Sequence, residues 1–292
     1  IQKLIKEKNV KVNSTVIKSN YKVAKGDQIQ ITIPDLTEPD ILPENIPLDI
    51  LYEDDEIILV NKPAGMLSQK AKETDESLVE YLIDYLLDSG KLTKEDLRSF
   101  RPSVCNRLDR NTSGLVAAGC SLAGLQKLSA MFKDRSLHKY YLCVVSGSVK
   151  EKKRIEGFLK KDEKSNQVTI SQKELPDSAP ICTEYEPLME TESYTLLKVT
   201  LITGRTHQIR AHLAYLGHPV LGDIKYGNRK MNERTGTKTQ ALCAVRVTFL
   251  DIPEENTLHY LSGKVVKLKD PQIVKQFDAL DKSKAAEKND HA

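Results

Sequence analysis

The densest run of chemically capable side chains is Cys105-Asn106-Arg107-Leu108-Asp109-Arg110-Asn111-Thr112-Ser113-Gly114. It sets one carboxylate between two guanidiniums, whose charge pairs with an ionised carboxylate. An aspartate so placed suits the work of a nucleophile or base rather than that of a proton donor at neutral pH. In an extended backbone Arg107 and Asp109 share a face and Arg110 points across it. The same residues also fit a loop-fixing ion pair, with Asn111, Thr112 and Ser113 making turn hydrogen bonds.

A second run, Leu201-Ile202-Thr203-Gly204-Arg205-Thr206-His207-Gln208-Ile209-Arg210-Ala211-His212, reads as a strand that ends at a glycine and passes into a helix. Thr206 is the expected cap, and Ile209, Leu213 and Leu216 the buried stripe. Arg205, His207, Gln208 and Arg210 then crowd the first turn, where backbone N–H groups favour phosphate or a catalytic carboxylate. His207 and His212 are five apart, a poor fit to one helix face, which disfavours a metal pair. The third run is Lys139-Tyr140-Tyr141-Leu142-Cys143-Val144-Val145, a strand in which alternation sends one tyrosine to each face. One ring is free to stack on a base, the other to pack in a core.

The elements that must position these residues are many strands and few helices in irregular order. Strands are expected at Asp49–Tyr52, Glu56–Asn61, Leu115–Gly119, Tyr140–Val145, Glu184–Leu188, Tyr194–Ile202 and Ala241–Leu250. Helices are expected over Ser77–Leu87, closed by Gly90, and after a Ser121 cap, with Leu125, Leu128, Met131 and Phe132 on one face. That pattern predicts an α+β fold rather than a regular βαβ alternation.

Ahead of this body, residues 1–34 hold a short helix and two short strands around a Gly26-Asp27 turn, too little to bury a good core alone. Charge is segregated although the net is only +3: residues 1–34 carry +5, residues 35–56 carry −9, and the remainder +7. Two basic units joined by an acidic, proline-punctuated connector favour a polyanionic partner. The expected organisation is a small unit at 1–34, a linker at 35–48, a body at 49–280 and a polar mobile tail at 281–292. A secretory signal and a membrane-spanning helix are not expected, since no stretch approaches roughly 20 apolar residues. Five widely spaced cysteines without a C-x-x-C pair argue against a zinc site or a disulfide framework and point to a reducing cytoplasm.

Taken together, four segments resemble the RluA-type family of RNA pseudouridine synthases: ILYEDDEIILVNKPAG, NRLDRNTSGL, KYYLCVV and LITGRTHQIRAHLAYLGHPVLGDIKYG. They stand in the family's order across about residues 50–250. The resemblance implies a mixed, mostly antiparallel central sheet with flanking helices, and isomerisation of uridine within structured RNA, ribosomal or transfer. It implies no cofactor, no metal and no membrane; a monomer is expected. By the same resemblance Asp109 is the catalytic aspartate, Tyr141 the ring that stacks on the target base, and Arg210 the aspartate's partner. Arg107 resembles the arginine that helps hold a flipped nucleotide, and Arg110, Arg205, His207 and Gln208 are further substrate-binding candidates. Asn106 stands where the family commonly has histidine, and Cys243 departs from the usual L-H-A.

Residues 1–33 resemble the second half of a small ribosomal-protein-type RNA-binding module, on the phrases LIKEKNVKVN and VAKGDQIQITIP. Lys3, Lys6, Lys11 and Lys18 are its expected RNA contacts. Two other classes fit parts of the pattern. One is an inactive RNA-binding or RNA-folding protein that keeps the fold. The other is a carboxylate-based nucleosidase or glycosidase, which needs a second catalytic carboxylate near the first.

Overall fold

The computed structural model describes residues 2–32 and 47–289, with the side chains of Lys3 and residues 281–289 left out. The chain divides into two compact units, Ile1–Pro43 and Glu44–Ala292. Most of the linker expected at 35–48 therefore lies outside the described residues.

In the first unit, helix α1 (Gln2–Lys6) precedes strands β1 (Val10–Val12), β2 (Thr15–Val16) and β3 (Ile29–Ile31). They form an antiparallel sheet in the order β2-β1-β3. Alternation puts Val10 and Val12 inside and Lys11 outside. Asp27 accepts hydrogen bonds from Ala24 N, Asn13 Nδ2 and the Tyr21 hydroxyl, which ties down the Gly26-Asp27 turn. Lys6, Lys11 and Lys18 are exposed.

The second unit is built on one large sheet. Its strands are β4 (Ile50–Glu53), β5 (Ile57–Lys62), β6 (Ser103–Val104), β7 (Ser113–Gly119), β8 (Leu137–Ser146), β9 (Lys153–Asp162), β10 (Gln167–Ser171), β11 (Ser178–Glu190), β12 (Tyr194–Leu201), β13 (Leu242–Phe249) and β14 (Val265–Lys267). The order is β10-β9-β11-β12-β8-β13-β7-β5-β4, with β14 beside β13 and β6 beside β7. Every pairing is antiparallel except β13 with β7. Around it lie α2 (Leu78–Asp88), α3 (Asp96–Ser99), α4 (Leu122–Asp134), α5 (Gln208–Tyr215), α6 (Arg229–Thr235) and α7 (Gln272–Asn289). This is the mixed, mostly antiparallel α+β arrangement expected.

Ile57 to Val60 and Leu115 to Ala118 are buried, so β5 and β7 are covered on both faces. One cover is α4, whose N-cap Ser121 accepts from Gly124 N as expected. Gly124 allows the close approach, because a Cβ there would stand 2.0 Å from the Glu56 carbonyl oxygen. The parallel β7–β13 contact is short, with Cys243 opposite Ser113 and Ala244 opposite Gly114. Gly114 has φ +108, and a Cβ there would meet the Ala244 carbonyl oxygen at 2.1 Å, so only glycine fits. Ala244 is also the β8 neighbour of Tyr141. The start of β7 is thus set beside Tyr141, and the loop before it, carrying Asp109, is delivered to the same place.

Three elements differ from expectation. The β9–β10 hairpin is not among the strands expected from the sequence, because charged residues occupy both faces of an edge ribbon and hide its alternation. Helix α5 begins at Gln208 rather than near Thr206, and its N-cap is His207 in the left-handed region with no side-chain cap. Helix α7 runs on to Asn289, past the boundary drawn at residue 281. Among the described residues no helix is long and apolar enough to cross a membrane.

Candidate active site

The loop between β6 and β7 is anchored along its length. Ser68 Oγ donates to Leu108 O and accepts from Leu108 N, holding the one apolar side chain of the run inward. Thr112 N donates to Asp109 O, and Gln240 Nε2 donates to Thr112 Oγ1 at 2.6 Å. Arg110 O accepts from Gly65 N and from Lys62 Nζ. Asn106, at the departure from the family pattern, accepts from Ala117 N and donates to Leu115 O, so its amide ties the loop to β7. Cys243 is buried and donates weakly to Ala244 O.

Asp109 faces a cleft of about 860 Å³ whose lining includes Arg107, Tyr141, Arg205 and Arg210. Arg210 Nη1 donates to Asp109 Oδ2 at 2.6 Å. The other edge of that guanidinium is held by Asp223, with Nε to Oδ2 at 2.6 Å and Nη2 to Oδ1 at 2.9 Å. Arg210 is therefore aimed by one carboxylate at another. Its side chain is 5% exposed, Asp223's is 0% and Asp109's is 27%. Burial alone would depress the arginine, but Asp223 and then Asp109 more than offset it and hold its pKa above the usual value. For Asp223 burial acts to raise the carboxyl; hydrogen bonds from Arg210 and from Tyr226 N and Lys225 N outweigh that and lower it. Both Asp223 oxygens are fully engaged and shut away from the cleft solvent, so Asp223 does not supply the second catalytic carboxylate a glycosidase needs.

Tyr141 lies in the cleft wall at 5% exposure, and Tyr140 is on the opposite face with the Arg246 guanidinium 3.7 Å from its ring centre. The expected division of the two rings holds. Burial, with Asp109 adding to it, pushes the Tyr141 phenol well up, so it stays neutral near pH 7. His207 sits with Nε2 3.9 Å from Asp109 Oδ2 and Nδ1 2.9 Å from the Tyr226 hydroxyl.

The other candidates separate. Arg107, Arg110 and Arg205 are exposed along the cleft. Gln208 is buried, and its amide is committed internally: Nε2 donates to Cys182 O and Thr183 Oγ1, while Oε1 accepts from Thr203 Oγ1 and Arg205 N. It fixes the Thr203–Arg205 turn that presents Arg205. Asp109, Tyr141, Arg210 and His207 come together; the exposed arginines ring them. Among the described residues no group of three or more His, Cys, Asp or Glu side chains is placed to hold a metal.

Sequence reasoning missed Asp223, Tyr226 and Lys62. The first two stand in a short loop bracketed by Gly222 and Gly227, and a carboxylate between two glycines was a legible sign of a built turn. Lys62 is fully buried, its three N–H donors spent on Pro63 O, Met66 O and Arg110 O. Burial pushes it down to about 8, with Asp109 opposing. Between that value and roughly 10.4 the unfolded chain binds the proton that the folded chain has lost. Stability from this group therefore rises with pH across that window. In urea unfolding, the difference between wild type and Lys62→Met should move in favour of wild type by about 2–3 kcal/mol from pH 7.5 to 10. A difference that does not change with pH contradicts this.

Comparison with known proteins shows the family. The family model described as RNA pseudouridylate synthase matches residues 56–215. An uncharacterized RNA pseudouridine synthase YlyB of Bacillus subtilis is 32% identical over 82% of this chain and 78% of its own length. Ribosomal large subunit pseudouridine synthase C of Vibrio parahaemolyticus is 31% identical over 81% and 74%. The solved structure of human RNA pseudouridylate synthase domain containing 4 is similar in fold, with a TM-score of 0.60 at 19% identity, covering 78% of this chain and 90% of that one.

Proposed function

The chain belongs to the RNA pseudouridylate synthase family, and we propose that Asp109 is the carboxylate through which it isomerises uridine to pseudouridine in RNA. In that reaction the N1–C1′ bond breaks, the base turns, C5 bonds to C1′, and the proton lost from C5 is matched by one gained at N1. Nothing is consumed. One observation carries the assignment: Arg210, clamped by Asp223, holds Asp109 Oδ2 at 2.6 Å in a cleft whose lining also includes Tyr141. A carboxylate so held can attack the sugar or the base, or face an oxocarbenium ion. The test is Asp109→Asn, which should bind RNA and form no pseudouridine; turnover by that variant overturns the assignment.

A base must leave its stack to reach Asp109, at a cost of a few kcal/mol. The neutral ring of Tyr141 stacks against it, and Arg107, exposed in the cleft lining, holds the displaced nucleotide. Arg110 and Arg205 meet phosphates, and the basic excess of the body supplies backbone affinity. The presence of Asp109, Tyr141 and Arg210 in one cleft speaks against a protein that only binds RNA. We further propose large-subunit ribosomal RNA as the substrate, on the strength of the relative's printed name; modification confined to transfer RNA sinks that choice.

The first unit is proposed as part of an RNA-binding module. Its support is a small sheet with exposed Lys6, Lys11 and Lys18; Lys3 joins them on sequence alone. Replacing Lys6, Lys11 and Lys18 with Gln should reduce the slope of log affinity against log salt by about 2–3, at roughly 0.7–0.9 per phosphate contact. An unchanged slope refutes the role.

A further inference from the structure

His207 is held in a way that its chemistry explains and helix formation does not. It is a non-glycine residue at φ 53 and ψ 15, a left-handed conformation that persists only where the surroundings enforce it. As the N-cap of α5 it makes no side-chain capping bond. The conformation instead turns the imidazole inward, to 7% side-chain exposure, between Tyr226 and Asp109.

Hydrogen-bond accounting then assigns the ring's proton. Val168 N donates to the Tyr226 hydroxyl oxygen at 2.9 Å. The same oxygen lies 2.9 Å from His207 Nδ1, and the two rings meet edge to face with centroids 5.6 Å apart. Tyr226 has one O–H proton and Nδ1 is an acceptor only when bare. Donation from the phenol to Nδ1 satisfies all three groups. Donation in the other sense needs a further acceptor for the phenol proton, and the described residues form no other hydrogen bond with that hydroxyl. This accounting assigns the proton of the neutral ring to Nε2, the nitrogen facing the Asp109 side of the cleft. Burial favours that neutral form, opposed by Asp109 and assisted by Arg210 and Lys225. At 3.9 Å, Nε2 is too far from Asp109 Oδ2 to spend its N–H there.

Resting on the reading that Asp109 isomerises uridine, we propose that His207, locked in its Nε2–H tautomer by Tyr226, donates a hydrogen bond to a carbonyl oxygen of the departing uracil. Cleavage of N1–C1′ leaves the electron pair on the base, and that charge spreads to its carbonyl oxygens. A fixed donor, aimed where charge develops, lowers the barrier without moving a proton. Tyr226 is then a positioning residue, and His207 touches substrate.

The test pairs a structural readout with a kinetic one. Nitrogen-15 NMR of histidine-labelled wild type should show His207 bare at Nδ1 and protonated at Nε2, and Tyr226→Phe should lose that preference. A ring protonated at Nδ1 in the wild type overturns the proposal, whether or not RNA is turned over. In single-turnover cleavage, His207→Asn should lose about 100-fold, the scale of a lost oxyanion donor. His207→Gln, whose amide reaches the Nε2 position, should lose about tenfold or less. Replacing the target by 5-fluorouridine, whose base carries the negative charge more easily, should shrink the His207→Asn deficit. Equal losses in the Asn and Gln variants, or the same deficit on both substrates, mark a merely structural histidine and overturn the proposal. Failure of the underlying reading is seen separately, as turnover by Asp109→Asn alongside wild type.

Discussion

Asp109→Asn should lower pseudouridine formation by at least about 10³-fold while leaving the protein folded and bound to RNA. The substitution keeps the shape of the side chain and removes its charge. Asn can still turn its carbonyl oxygen to Arg210 Nη1, and Arg210 keeps both bonds to Asp223, so no buried charge is stranded. At 27% exposure the position is also partly solvated, and unfolding free energy should change by less than about 1 kcal/mol. The contrast between intact binding and lost chemistry separates catalysis from scaffolding. A variant retaining a tenth of wild-type turnover contradicts the assignment. Release of free uracil by the wild type points instead to a nucleosidase.

Asp223→Ala carries the largest expected cost in stability. It strips a guanidinium that is 5% exposed of two of its three hydrogen bonds, and frees Lys225 N and Tyr226 N from their acceptor. Removing one partner of a buried pair typically costs about 3–5 kcal/mol, because the remaining charge stays buried. For a domain of this size that is a fall in melting temperature of roughly 10 °C. Adding Arg210→Met removes the stranded charge and should recover part of the stability with no recovery of turnover. A single variant that melts within about 2 °C of wild type shows that Arg210 does not depend on Asp223.

The parts of the molecule that were legible in advance are those where one local rule decides. Alternation and burial marked β5, β7, β8 and β13, and a serine before an apolar stripe marked α4. The Arg-Leu-Asp run drew attention to its aspartate, but the same residues also fit a loop-fixing ion pair, and only the resemblance to a known family separated the two readings. Adjacent tyrosines on one strand had to face opposite ways, and Tyr141 and Tyr140 do. What stayed hidden depends on partners distant in the chain. Arg210 and Asp223 are thirteen residues apart across a helix end and an irregular turn, a separation no periodicity links. Gln208 sits among cleft residues in sequence, but its amide groups are engaged by Cys182, Thr183, Thr203 and Arg205. Lys62 reads as a polar strand end, and only tertiary packing shows three carbonyl oxygens converging on its ammonium. The α5 start was misplaced because Thr206 is the better cap by propensity, whereas the helix begins at Gln208 with His207 as its N-cap.

The most direct measurement is a map of pseudouridines in total RNA from matched strains that lack this protein, or that carry the wild type or the Asp109→Asn variant. Defined uridines, in large-subunit ribosomal RNA, should be modified in the wild type, unmodified in the deletion, and unmodified again with Asp109→Asn present at equal abundance. Sites that persist in the deletion strain, or that return with the Asn variant, contradict a carboxylate at position 109 as the source of the chemistry.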